Sequence, residues 1–141
     1  MCDTCGCVGM TTIAAHEAML ARILVDGLRQ LEGVHVWCGP GDPQTGVVSF
    51  TMDRADVALA ATMLDEAFGI AVRGGLHCAS AAHRALGTFP AGTVRASFGQ
   101  FNTREHAEAL VVAIREITRF DRGVCQKQRG MGTTVRPATN G

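Results

Sequence analysis

The chain has 141 residues, of which 47% are hydrophobic and 18% charged, enough apolar material to core one domain. That excludes a disordered or low-complexity protein. Thirteen basic and thirteen acidic side chains cancel, so no cationic excess exists for a phosphate backbone and no nucleic-acid partner is expected. No apolar run approaches the roughly 18–20 residues that span a bilayer, so no membrane partner is expected either. The first ten residues, MCDTCGCVGM, lack the basic and apolar regions of a secretory signal, which makes the cytoplasm the expected location. Six cysteines stand against a single lysine, Lys127. Their spacing reads as reduced thiols open to metal or sulfur chemistry, not as a disulfide framework.

Residues 1–10 form a Cys/Gly-rich head. Residues 11–31 carry Ile13, Leu20, Leu24, Leu28 and Leu31 at helical spacing, with Thr11 or Thr12 as cap and Gly33 as stop. Residues 34–37 alternate as a strand, 38–46 make a turn-rich loop, and 47–52 form a second strand. Asp53 is read as the cap of a helix bearing Val57, Met63 and Leu64, closed by Gly69. Residues 70–73 read as a short strand entering the flexible turn 74–78. A short helix over 79–87 and a loop through Pro90 and Gly92 follow. Residues 93–98 alternate again, with Val94, Ala96 and Phe98 on one face. Asn102 and Glu105 have capping-box spacing, and Ala107, Leu110, Val111, Ile114 and Ile117 make the stripe of a last helix.

Three regions result: a metal-binding-like head at 1–10, a folded domain at 11–120 and a flexible polar tail at 121–141. The element order implies an α/β (α+β) fold, a small mixed sheet with helices mainly on one face.

Residues 69–103, GIAVRGGLHCASAAHRALGTFPAGTVRASFGQFNT, carry a resemblance. Arg73-Gly-Gly-Leu-His77-Cys78, Thr93-Val-Arg95-Ala-Ser97 and Phe101-Asn102-Thr103 resemble the C-terminal small domain of class V, fold-type I pyridoxal-phosphate enzymes, nearest to the cysteine desulfurase/selenocysteine lyase branch. His16-Glu17 and Gly46-Val-Val-Ser-Phe50 fit the same domain. The resemblance implies that Cys78 is the sulfur-accepting cysteine and Arg95 the arginine that grips a substrate α-carboxylate, a task suited to a planar guanidinium fork. Arg73 and His77 flank the cysteine, and either could favour its thiolate, the nucleophilic form. Asn102 and Thr103 match the pair that opens the last helix, and Asn102 is expected beside Arg95 among the substrate-binding residues. Ser80 stands where many relatives have proline.

The resemblance does not extend to the large domain, which holds the Schiff-base lysine, the pyridinium-binding aspartate and the phosphate loop. Lys127 has no matching context. Pyridoxal phosphate is the electron sink for breaking the C–S bond. No pyridoxal phosphate is therefore expected on this chain alone, nor cysteine desulfuration by it alone. In relatives the small domain packs on the large domain and the partner subunit. An orphaned surface of that kind implies a homodimer or a protein partner: a PLP-domain protein, a desulfurase or a cofactor-assembly protein.

In the head, Cys2-Asp-Thr-Cys5-Gly-Cys7 places three thiols where they can converge on one soft or borderline ion, nickel or zinc, with Gly6 allowing the turn. It resembles the nickel-binding head of the hydrogenase-maturation GTPase. Cys38 and Cys125 read as bystanders, His16, His83 and His106 as surface or structural residues, and Trp37 as a packing residue.

Three functions follow as expectations. One is a non-catalytic thiol or persulfide carrier, or metal-delivery accessory protein, in assembly of a metal–sulfur or hydrogenase-type centre. Another is one half of a split desulfurase completed by a separate large-domain chain. The last is a degenerate regulatory or interaction domain.

Overall fold

The computed structural model describes residues 9–129 except 39, 40, 42, 44 and 54, with only the helical backbone for 121–129. Four helices and four strands alternate: α1 (Met10–Arg29), β1 (Val34–Val36), β2 (Val47–Met52), α2 (Val57–Phe68), β3 (Arg73–Gly75), α3 (Ser80–Leu86), β4 (Thr93–Ser97) and α4 (Arg104–Arg129). The strands form one sheet in the order β1-β2-β4-β3. The sheet was expected to be mixed, but each of its three pairings is antiparallel. The reason is that β4 inserts between β2 and β3, which run in the same direction and are joined through α2. This is a split β-α-β arrangement.

Side chains on a strand point alternately to the two faces. Val48, Phe50 and Met52 of β2 and Val94 and Ala96 of β4 are buried. They meet Leu24, Leu28, Leu64, Leu110 and Ile114 from α1, α2 and α4 in one core. The α1, α2 and α4 helices therefore cover one face, as the element order implied. The other face carries His35, Ser49, Thr51, Arg73 and Arg95, with Trp37 just beyond β1. Trp37 Nε1 donates to Thr51 Oγ1 at 2.9 Å, so the tryptophan is a packing residue with its polar atom satisfied.

Several boundaries depart from expectation. The first helix opens at Met10 with Gly9 in the cap position, not Thr11 or Thr12. The cap of α2 is Asp56, not Asp53. Its carboxylate accepts from the backbone N–H groups of Ala58 and Leu59 at 2.9 and 3.2 Å. Asp53 accepts instead from His35 Nε2 at 2.6 Å. The third strand is Arg73–Gly75, not 70–73. Ile70 and Val72 pack against the core outside the ladder, and pairing with β4 begins at Arg73, opposite Arg95. A Cβ at Gly74 would lie 2.8 Å from the Val57 carbonyl oxygen.

The last helix opens at Arg104, and its cap is Thr103, not Asn102. The Thr103 N–H donates to His106 Nδ1 at 3.2 Å, the reciprocal half of a capping box in which histidine replaces glutamate. Glu105 also accepts from Thr103, and this bond holds its carboxyl below the ordinary glutamate range. The same helix runs to Arg129, past the end expected near residue 120. Among the described residues no helix is long and apolar enough to cross a membrane.

Candidate functional site

The site lies where β3, the turn after it and the first half of β4 meet. Arg73 and Arg95 are direct cross-strand partners, on the sheet face opposite Val94 and Ala96. Like charges placed opposite one another repel. Among the described residues neither guanidinium has a carboxylate partner. Arg95 Nε is buried and has no hydrogen-bond partner there, an arrangement that costs free energy unless an acceptor is supplied.

Two residues along each strand, Gly75 pairs with Thr93, and the chain then turns. His77 and Cys78 both lie in the left-handed region, with φ of 50° and 60°. Such conformations cost non-glycine residues about 1–2 kcal/mol each. Three contacts hold the turn. His77 Nε2 donates to the Thr93 carbonyl at 3.0 Å. The Ala79 N–H donates to the Leu76 carbonyl at 2.8 Å. Gly92 presses so closely on the backbone that a Cβ there would lie 2.2 Å from the Gly75 carbonyl, so glycine is required. Cys78 is exposed on this turn as a free thiol.

Partial burial is the largest influence on His77, and it pushes the imidazole pKa below its ordinary value. The bond to Thr93 opposes it, and the charges of Arg95, Arg73 and His83 act in the same direction as burial, so the net shift is downward. His77 is thus biased toward its neutral form, and the permanent positive charges at the site are the two arginines. Because a carbonyl only accepts, neutral His77 carries its proton on Nε2 and a lone pair on Nδ1.

Beneath the turn lies His83, 6% exposed. Its Nδ1 is 2.7 Å from Thr88 Oγ1, and its ring centroid is 6.3 Å from that of His77. Its carbonyl accepts from the N–H groups of Thr88 and Phe89. His83 therefore joins the short α3 helix to the loop that returns to β4. Reading from the residues gave it no place in the site. The one available signal was its position inside an apolar, alanine-rich helix five residues after Cys78.

Asn102 does not join this group. It lies past the far end of β4, where its Oδ1 accepts from the Gly99 N–H at 2.8 Å and its carbonyl accepts from His16 Nε2 at 2.8 Å. It fixes the loop entering α4. A cavity of about 330 Å³ opens beside it, between residues 69–72 and the first turns of α4. Of its polar lining residues, Asn102 and His106 are committed to loop and cap bonds.

Cys2, Cys5 and Cys7 lie outside the described residues. Among the described residues no group of three or more His, Cys, Asp or Glu side chains could hold a metal ion. Cys38 is half-buried and receives a bond from Arg29 Nη2 at 3.5 Å.

Comparison with known proteins agrees with the fold. Residues 3–110 match the aminotransferase class-V family. The chain is 37% identical over 107 residues to the cysteine desulfurase of Haloferax volcanii, covering 76% of this chain and 24% of that protein. It is 39% identical over 109 residues to a probable cysteine desulfurase of Halobacterium salinarum, covering 77% and 26%. Among solved structures, the Escherichia coli cysteine desulfurase CsdA in an S-sulfonic acid form superposes with a TM-score of 0.71 at 27% identity, over 79% of this chain and 27% of that one. The apo cysteine desulfurase of Thermococcus onnurineus gives 0.69 at 32% identity, over 77% and 26%. The chain thus spans about a quarter of the length of the curated relatives it matches. On this match the chain belongs to the aminotransferase class-V family, and its relatives there are cysteine desulfurases.

Proposed function

We propose that the chain is a thiol and persulfide carrier, in which Cys78 accepts sulfur from a cysteine desulfurase and passes it on during assembly of a metal–sulfur or hydrogenase-type centre. The observation that carries this reading is the exposed Cys78 thiol on a turn held in two successive left-handed residues. Such a thiol is open to attack by, and delivery to, another protein.

The residues of this chain do not fit covalently bound pyridoxal phosphate. Its Schiff base needs a primary amine, and the turn and its neighbours offer Arg73, His77, His83, Thr93 and Arg95. Lys127, the sole lysine, sits near the C-terminal end of α4. Incubation with a desulfurase and cysteine, followed by mass spectrometry of the Cys78 peptide, tests the reading. One added sulfur on Cys78 supports it, and an unmodified Cys78 rejects it.

The Cys2, Cys5 and Cys7 thiols would bind nickel or zinc as the delivery arm of the same assembly role. Thiolate ligation releases protons and weakens at low pH. Metal titration of the wild type against a Cys2/Cys5/Cys7→Ser triple variant checks this, since equal uptake would remove the head as the site.

A second reading is one half of a split desulfurase. It is favoured by the buried, unpartnered Nε of Arg95 and by the chain's match to only a quarter of its relatives. A separate cofactor-domain chain would then cover the open sheet face, and Arg95 would hold the substrate carboxylate. Cofactor absorbance and cysteine desulfuration that appear only when the two chains are mixed would support it.

A further inference from the structure

We propose that Cys78 also takes sulfur directly from a small sulfane-sulfur oxyanion of the thiosulfate class, whose sulfonate end is held between Arg73 and Arg95. The proposal rests on the reading of Cys78 as a sulfur acceptor and names the donor that this chain's own residues select.

Two arguments lead to that donor. The first is chemical. Nothing at the site can break a C–S bond, so a donor acting on this chain by itself must already contain a weak S–S bond. The second is electrostatic. Arg73 and Arg95 are register partners, which sets their Cβ atoms about 4.5–5.5 Å apart. Neither has a carboxylate partner among the described residues, and Arg95 Nε is buried without an acceptor.

An anion with three oxygens and two negative charges can accept from both forks at once. A single carboxylate satisfies one fork. The turn carrying Cys78 begins directly beyond this pair, at Gly75 opposite Thr93. Both arginines act electrostatically on His77, the residue next to Cys78.

The step balances without an added oxidant. The Cys78 thiol loses its proton to the Nδ1 lone pair of His77 or to water. The thiolate attacks the outer, sulfane sulfur of thiosulfate. A new S–S bond forms to Cys78 while the sulfane–sulfonate S–S bond breaks. Sulfite leaves with the electron pair, and Cys78 carries the persulfide. The arginines hold the sulfonate before attack and the additional charge of departing sulfite afterwards.

The test is incubation of the reduced full chain with thiosulfate, reading sulfite release and the mass of each cysteine peptide. The expected result is one sulfite per persulfide on Cys78, and neither product in Cys78→Ser. Arg73→Gln and Arg95→Gln should each lower the rate by roughly tenfold or more, as expected for loss of a charge-assisted bond. They should also narrow the preference for thiosulfate over elemental sulfur, a neutral donor. Circular dichroism verifies that both variants are folded. Arg84→Gln is the control and should leave the rate unchanged, because the Arg84 guanidinium lies over the Phe89 ring, 4.8 Å from its centroid, and is not a register partner of either arginine.

Loading of Cys78 by a desulfurase and cysteine but not by thiosulfate would overturn this inference and leave the carrier reading intact. Failure of both donors overturns both. Undiminished thiosulfate rates in the two arginine variants, or sulfur found only on other cysteines, also overturn the inference.

Discussion

The two faces of β4 follow different rules. On one face Val94 and Ala96 are buried among the side chains of α1, α2 and α4. On the other, Arg95 opposes Arg73, has a buried Nε without an acceptor and lies two residues from the Thr93 carbonyl that holds His77. Within five residues the same strand lies at the centre of the sheet and forms the floor of the reactive turn. The comparison teaches that the helix-covered face supplies stability, and that the opposite face retains strain and repulsion which the core must offset.

That division can be broken or sharpened in order of effect. Phe50 is fully buried opposite Val94, so Phe50→Ala should cost about 3–5 kcal/mol in urea or guanidinium unfolding. Gly92→Ala places a Cβ against the Gly75 carbonyl at a φ of 81°. A loss of about 1–3 kcal/mol is expected, with a changed rate of Cys78 alkylation because the turn must shift. Asp56→Ala should cost about 1 kcal/mol, whereas Asp53→Ala should stay within about 0.5 kcal/mol. Equal losses at the two positions would contradict the cap assignment. Cys78→Ser should change stability by less than about 0.5 kcal/mol while abolishing sulfur loading.

The smallest effect is a pH dependence. His77 has a pKa below its ordinary value in the folded chain, so the folded state binds fewer protons than the unfolded state as the pH falls. Stability should therefore decline as the pH drops from about 6.5 toward the folded pKa, and this contribution should level off below it. In His77→Gln that part of the pH slope should disappear. A slope identical to the wild type's would show that His77 titrates alike in both states.

Much of this was legible in the residues. The apolar spacing from Leu20 to Leu28 and from Ala107 to Ile117 marked the two long helices, because burial of one stripe is what keeps a helix in place. The alternation in residues 47–52 and 93–98 marked the central strands, the second of which ends one residue earlier, at Ser97. The third strand was misplaced because its signal is not apolar: the pairing falls on Arg73-Gly-Gly, where close passage to α2 and β4 matters more than β-propensity. The caps at Asp56 and Thr103 lay close to better-looking candidates, and the bonds of Asp53 with His35 across the sheet and of Asn102 with Gly99 within its own loop settled the choice.

For the site, the motif marked Arg73, His77, Cys78 and Arg95. Cross-strand register then made the two arginines direct partners. Asn102 fell outside because helix-opening residues lie at the opposite end of β4. The roles of His83 and Thr88 depend on a bond between side chains in a loop, which no periodicity reveals.

The insertion of β4 between β2 and β3 has a consequence for synthesis. When residues 73–78 leave the ribosome, the strand that will pair with Arg73–Gly75 has not been made. Thr93, whose carbonyl fastens His77, follows fifteen residues after Cys78, and the helix that packs behind β4 is later still. The reactive turn thus acquires its shape only after the C-terminal third of the domain has emerged. A nascent chain halted before that point, or a peptide excised around Cys78, would present the same thiol without the geometry that sets it apart.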